Sequence, residues 1–378
     1  MMTEIYLIRH AEAEGNVYRR NHGHYDSLLT PLGLQQVAAL EQRFENIPID
    51  ACFSSDLTRA CMTAQAICRP KNLPLHRCPE FREVNFGVWE DKPFGYIDHF
   101  DKEAMDQFRL DPRTLHVENG ETFPEYTGRF IGKMTELARE NEGKTIAIFS
   151  HGAVLRGVLM ELFGYGEGGP VPVSDNTGVS HIFFENGACR ADYLNDNSHL
   201  PKELSTFGRL GEILGEEILK HNMWFEPAGQ DLSLLLDLYR QTWLDIYGNE
   251  DDLQLSAVGS FAGITKPDYC MNAYLLGQPA GALLLRRGGR IVFLALTEPL
   301  RGQRLGSQLL GEAVSRFRAE GCKRITLAVS PRNTRALAFY RKYGFYEIGQ
   351  TPGATEMLIE MALDIGLENA DVPPIAET

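Results

Sequence analysis

Ile5-Tyr6-Leu7-Ile8 is an apolar, β-prone run that passes directly into Arg9-His10 and then into the small-residue stretch Ala11 to Asn16. Such a pattern predicts a short buried strand ending in a loop. The layout recurs twice, with Ala51-Cys52-Phe53 entering Ser54-Ser55-Asp56 and Thr145 to Phe149 entering Ser150-His151-Gly152. Apolar residues at helical spacing follow each run: Leu34, Val37, Ala38 and Leu40; Leu57, Ala60, Cys61, Ala64, Ile67 and Cys68; and Val154, Leu155, Val158, Leu159 and Leu162. Thr30 before Pro31 reads as an N-cap with proline at the first helical position. Strands alternating with helices predict an α/β domain whose strands are parallel. Arg9 and His10, Ser54 to Arg59, and Ser150 and His151 then share one carboxyl edge. Open α/β sheets bind ligands at that edge.

Further along, the pattern changes. A connector over 205–222, read as mostly helical, leads into Met223 to Glu226 and a helix-like stretch from Leu232 to Tyr247. An acidic turn and an ambiguous stretch to Lys266 follow. Tyr269 to Leu276 and Ala280 to Arg286 flank Gly277-Gln278-Pro279 as a hairpin, and Arg290 to Leu296 is a third strand. Arg301 to Ser307 is a glycine-containing turn into a helix that carries Leu305, Leu309, Leu310, Ala313 and Phe317 on one face. A strand feeding such a turn offers backbone N–H groups to a pyrophosphate. Residues 364–378 form an acidic tail expected to fray.

Composition sets the bounds. A length of 378 residues fits two domains, read as 1–204 and 223–363. No apolar run approaches the ~20 residues of a membrane span, so a soluble, cytoplasmic protein is expected. The seven cysteines form no C-x-x-C pair, which fits reduced thiols. A net charge of −14 argues against nucleic-acid binding through the overall field. The charge is uneven: residues 1–204 hold 20 Lys and Arg against 30 Asp and Glu, whereas residues 301–342 hold 10 against 2.

Two histidines and two arginines at one sheet edge describe a pocket for a phosphoryl group, because guanidinium matches phosphate oxygens in geometry. The motifs Arg9-His10, Asn16, Leu29-Thr30 with Gly33 and Gln36, Ser54-Ser55 with Arg59-Ala60, Glu83 within Phe81 to Glu90, and Ser150-His151-Gly152 appear in order. In this series the first domain resembles the histidine phosphatase superfamily, the phosphoglycerate mutase-like fold, from residue 4 to about 200. Ala11 departs from the family's usual glycine. The resemblance implies a three-layer α/β/α domain and no metal. It implies that His10 accepts the phosphoryl group, that Arg9, Asn16, Arg59 and His151 bind its oxygens, and that Glu83 serves as acid and then base. His22-x-His24 reads as a solvated pair or a substrate-facing loop rather than a metal site. The aromatic insert from Phe86 to Phe108 looks like the short lid of the phosphatase branch, which favours hydrolysis of a small phosphomonoester over the alternative, mutase-type transfer.

The second domain resembles the GNAT N-acetyltransferases over roughly 223–363, through the Arg301 to Gly306 turn and through Ile325 to Val329 with Asn333, Ala336, Phe339-Tyr340 and Tyr343-Gly344-Phe345. The resemblance implies an α/β domain with a mixed, largely antiparallel sheet, acetyl-CoA as cofactor and an amine acceptor that the residues do not name. Arg301, Gly302, Gln303, Arg304, Leu305, Gly306 and Ser307 would hold the pyrophosphate. Leu294, Ala295 and Leu296 would face pantetheine, Asn333 would line the groove, and Tyr340 would protonate the departing thiolate. The basic block from 301 to 342 suits an anionic cofactor. Arg304 stands where the family has glycine, so a noncatalytic CoA-binding domain is the alternative; Tyr340 reads equally as a packing residue. Oligomeric state is not encoded in these patterns.

Overall fold

The continuous apolar runs become the central strands of the first sheet, as strands buried on both faces should. The structure, a computed structural model, describes residues 1–164, 174–206, 208, 220–229, 231–250, 253 and 269–376. Strands β1 (Thr3–Arg9), β2 (Ala51–Ser54), β3 (Leu75–Arg77), β4 (Thr145–Ser150), β5 (Val179–Glu185) and β6 (Ala188–Asp196) form a sheet in the order β3-β2-β4-β1-β5-β6. β1, β4, β2 and β3 are parallel, and β5 and β6 add an antiparallel hairpin. Arg9 pairs with Ser150 and Ser54 with Phe149, so the three strand ends finish level. Thr30 caps the Pro31–Phe44 helix by accepting the Gly33 N–H at 3.0 Å.

Local differences from the sequence reading have local causes. The face expected from Leu57 to Cys68 is carried by two helices, Thr58–Thr63 and Gln65–Lys71, which meet at Ala64. The segment after Ala13 opens with a short helix, Glu14–Tyr18, rather than an open loop. The tail does not fray over its described part. The Leu75 N–H donates to the Pro374 carbonyl at 2.8 Å, the Ala376 N–H donates to the Leu75 carbonyl at 2.9 Å, and Val372 packs on the first domain's core. Edge strand β3 is thereby covered.

The second sheet holds β7 (Met223–Pro227), β8 (Tyr269–Leu275), β9 (Gln278–Arg286), β10 (Arg290–Leu296), β11 (Arg324–Val329), β12 (Tyr346–Pro352) and β13 (Met357–Asp364), in the order β12-β13-β11-β10-β9-β8-β7. Every neighbouring pair is antiparallel except β10 with β11. Those two share a single register pair, Arg290 with Thr326, and diverge beyond it. The Gly306–Ala319 helix packs Leu309, Leu310, Ala313 and Phe317 into this domain's core. Most of the proposed 205–222 connector and of the ambiguous stretch to Lys266 lies outside the described residues.

Candidate functional site

At the level strand ends, β1 delivers Arg9 and the following His10, and β4 delivers His151 through Ser150. The ring centroids of His10 and His151 lie 5.1 Å apart. Arg9, His10, Asn16, Arg59 and Glu83 line one cavity of about 260 Å³. Residues predicted from distant parts of the chain are thus gathered at one place.

The His10 ring sits with Nδ1 2.7 Å from the Ala11 carbonyl. A carbonyl only accepts, so Nδ1 carries the proton and Nε2 keeps its lone pair. Burial and the nearby Arg59 and Arg9 charges hold the His10 pKa well below the usual 6.5. His151 is pushed down likewise, by burial first and then by Arg59 and His10. Both imidazoles are neutral at pH 7. His151 also occupies the N-cap position of the Gly152–Phe163 helix, whose N-terminal dipole favours an anion beside it, and neither of its ring nitrogens has a hydrogen-bond partner among the described residues.

Arg59 is 1% exposed, and backbone carbonyls hold its guanidinium. Nη1 donates to Tyr25 at 2.9 Å, and Nη2 donates to Gly23 at 2.7 Å and to His22 at 3.1 Å. Arg9 donates to the Ser174 carbonyl, while its buried Nε has no partner among the described residues. A Cβ on Gly152 would lie 3.0 Å from that Nε, so glycine here lets the guanidinium reach the helix terminus. Asn16 Oδ1 accepts from the Ala13 N–H at 3.0 Å and from Asn176 Nδ2 at 3.3 Å, which leaves its amide nitrogen as the donor toward the cavity. Glu83 accepts three backbone N–H groups: Val84 at 3.0 Å, Ala153 at 3.0 Å and Val154 at 2.6 Å. Its carboxylate is pinned across the same helix terminus that carries His151.

Several supporting residues escape the sequence reading. Arg129 donates to the carbonyls of Glu80, Arg82 and Glu83 and fixes the Glu83 loop. Buried Asn176 donates to the His10 carbonyl at 3.0 Å as well as to Asn16; the polar run Ser174 to Thr177 immediately before an apolar strand is the signal that could have found it. His22 and His24 are not a solvated pair. His22 is buried with Nε2 3.1 Å from Asp91, and His24 Nε2 lies 3.0 Å from the Glu83 carbonyl. Among the described residues no group of His, Cys, Asp and Glu could hold a metal ion. The seven cysteines are free thiols. No helix among the described residues is long and apolar enough to cross a membrane.

Residues 5–197, just over half of the chain, match the histidine phosphatase superfamily (branch 1). The chain belongs to that superfamily. Residues 232–345 match the acetyltransferase (GNAT) family. The adenosylcobalamin/alpha-ribazole phosphatase of Salmonella typhimurium is 30% identical over 158 residues, 42% of this chain and 78% of that protein. A Yersinia pestis protein titled "Probable phosphoglycerate mutase GpmB" is 31% identical over 163 residues, 43% of this chain and 76% of that protein. Among solved structures, Bacillus stearothermophilus YhfR aligns with a TM-score of 0.49 and 30% identity, over 52% of this chain and 98% of that one.

The residues that the sequence singles out in the GNAT domain are spread over strand, turn and core. Leu294, Ala295 and Leu296 lie on β10 beyond its one register pair with β11, where the strands have parted. Gly302 and Arg304 both have positive φ, 79° and 62°. Arg304 thus adopts the conformation that glycine favours, at a strain of roughly 1 kcal/mol. Arg301 pairs with Asp245 and Gln303 donates to the Pro299 carbonyl. Leu305 is core, and Gly306 packs closely against Phe339. Ser307 Oγ donates to the Val17 carbonyl of the first domain at 2.9 Å. Asn333 is accounted for as an N-cap, its Oδ1 accepting the Ala336 N–H at 3.1 Å. Tyr340 lies in the core against Phe339 and Phe345, where burial raises its phenol above the usual 10 and keeps it protonated. Much of the basic block is paired: Arg316 with Glu312, Arg318 with Glu14, Arg324 with Asp364 and Arg341 with Glu347. The excess of positive charge is therefore a balance against carboxylates elsewhere more than a field for a ligand.

Neutral buried histidines make stability depend on pH. His10, His22 and His151 titrate lower when folded than the usual 6.5, so the unfolded chain takes up protons first. Their contribution is complete above the unfolded value and declines as pH falls toward the folded ones. The urea midpoint is expected to be constant above about pH 7 and to fall steadily between about pH 6.5 and 5; a flat midpoint across that interval would contradict the assignment of neutral imidazoles.

Proposed function

We propose that the first domain hydrolyses a small-molecule phosphomonoester without a metal, through a phosphohistidine on Nε2 of His10. The observation that carries this reading is the Nδ1 contact to the Ala11 carbonyl, which leaves Nε2 nucleophilic. Nε2 attacks phosphorus, the ester P–O bond breaks, and the departing alkoxide takes a proton from Glu83. Water then attacks the phosphohistidine, gives its proton to Glu83, and releases orthophosphate as the N–P bond breaks. Arg9, Arg59, His151 and Asn16 stabilise the charge that spreads over the transferring oxygens. Phe86, Phe94, Met105 and Phe108 line the same cavity and favour an alcohol with an apolar face. Turnover of a panel of phosphoesters, with quenched protein carrying acid-labile phosphate, is the expected result. Absence of both would overturn the reading. We assign residues 1–204 to this activity, with 205–222 as connector.

For residues 223–363 we propose acetyl-CoA binding in the opening between β10 and β11, with the 301–307 turn at the pyrophosphate, and acetyl transfer to an amine. Bound there, the thioester would supply an activated acyl group. The backbone of Leu294 to Leu296 fits that opening because β10 pairs with β11 only at Arg290; the Leu296 carbonyl accepts from Arg301 Nε at 3.2 Å, which ties the 301–307 turn to the same opening. Acetyl-CoA at about 100 times its Kd is expected to stabilise the chain by about 2.7 kcal/mol, read as a rise in thermal midpoint. No shift at millimolar acetyl-CoA would count against any CoA site.

A further inference from the structure

The phosphatase loops rest on the GNAT domain, and the contact is built from buried charge. Arg20, 6% exposed on the loop after Asn16, donates Nε to Asp91 at 2.7 Å and Nη1 to Glu312 of the Gly306–Ala319 helix at 2.8 Å. Its Nη2 donates to Ser315 Oγ at 3.0 Å and to the Asp91 carbonyl. Ser315 in turn donates to Asp91 Oδ2, and Glu312 is completed by Arg316 at 2.7 Å. Asp91 Oδ1 also meets His22 at 3.1 Å.

The adjoining contacts run the same way. Arg318 pairs with Glu14 at 2.9 Å, and Tyr18 is buried in the second domain's core beneath Gly311. A Cβ on Gly311 would lie 2.4 Å from the Tyr18 Cβ, so glycine is what lets this helix meet the Glu14–Tyr18 helix. On the other side of the cavity, the lid helix Phe94–Phe100 lies on β7. His99 stacks on Trp224 at 4.4 Å, and Gly95 sits against the Met223 carbonyl.

We propose that Glu312 and Ser315 of the GNAT domain are positioning residues for the phosphatase, acting through Arg20 and Asp91 on the carbonyls that aim Arg59. The inference rests on the phosphohistidine reading above, in which Arg59 binds the phosphoryl oxygens. The path is continuous. Glu312 and Ser315 fix Arg20 and Asp91; Asp91 fixes His22; and the carbonyls of His22, Gly23 and Tyr25 hold the Arg59 guanidinium. Arg20 also lines the cavity, but four of its five N–H groups are held by Asp91, Glu312 and Ser315, which makes it a pin for the loop. A charge network of this kind, two carboxylates and two guanidiniums largely removed from water, holds its geometry only while all members are present.

The test uses the full chain, p-nitrophenyl phosphate as substrate and orthovanadate as a probe of the phosphoryl site. Glu312→Ala is expected to raise the vanadate inhibition constant and lower kcat/KM by on the order of tenfold or more. Glu312→Gln keeps an acceptor for Nη1 and is expected to restore most of both. Ser315→Ala, a smaller change, is expected to move the same two quantities in the same direction by about threefold and decides the matter if Glu312→Ala does not fold. A purely structural contact would lower the thermal midpoint while vanadate affinity, normalised to phosphorylatable sites, stayed at the wild-type value; that result would overturn the proposal. A wild-type chain with no phosphatase activity would instead remove the reading beneath it.

Discussion

His10→Ala is expected to lose phosphoester turnover by on the order of 10⁴-fold or more, the scale on which enzymes respond to removal of a covalent nucleophile. Acid-labile phosphate in quenched protein should disappear with it. The substitution leaves the backbone partners untouched, since the His10 carbonyl still receives Asn176 Nδ2 and the Thr177 N–H. The fold should therefore persist, with the variant still binding orthophosphate through Arg9, Arg59 and His151. Phosphate binding by calorimetry together with absent turnover would place the defect in bond formation. Residual activity within tenfold of wild type would show that phosphoryl transfer does not pass through this imidazole.

How far this site could be read without coordinates follows from what each residue depends on. Ile5 to Ile8, Cys52 and Phe53, and Ile146 to Phe149 are buried on both sheet faces, so their strands appear as continuous apolar runs and their ends announce Arg9, His10 and His151. Arg59 was placeable by the same logic. The β5–β6 hairpin was also legible in principle, because Asn186-Gly187, both at positive φ, is a strong two-residue turn signal. The docked tail was not. It is attached by two backbone hydrogen bonds to Leu75, by Val372 against the first domain's core and by the Arg69 pair with Asp371, and a tail this short and polar carries no periodicity that announces such contacts. Nor was the inter-domain network, since Glu312 and Ser315 on a helix with Arg316 and Arg318 read as a solvated face until Arg20 and Glu14 are brought against it. Asn333 and Ser307 teach the converse. Both lie where the cofactor pattern puts them, and their side chains nonetheless have local partners, a helix N–H and a carbonyl of the first domain.

Glu83→Gln is expected to separate the two halves of the phosphatase cycle. In the native arrangement the carboxylate faces the N–H groups of Val84, Ala153 and Val154, all donors. A carboxamide can offer its oxygen to some of them, but its NH2 group then opposes another donor, so the side chain is both unable to carry the proton and displaced from its seat. With an alkyl phosphate the leaving alkoxide needs a proton in the transition state, and loss of that transfer should lower kcat by about 10²- to 10⁴-fold. With p-nitrophenyl phosphate the leaving group departs as a stable phenolate, so phosphorylation of His10 should proceed at nearly the native rate. Dephosphorylation still requires a base for water. The variant should therefore show a burst of nitrophenolate of about one equivalent per site followed by slow turnover, with phosphohistidine accumulating on the protein. Equal losses with both substrates and no burst would mean that Glu83 shapes the site without moving a proton, and that the acid and base must be sought elsewhere along the cavity wall.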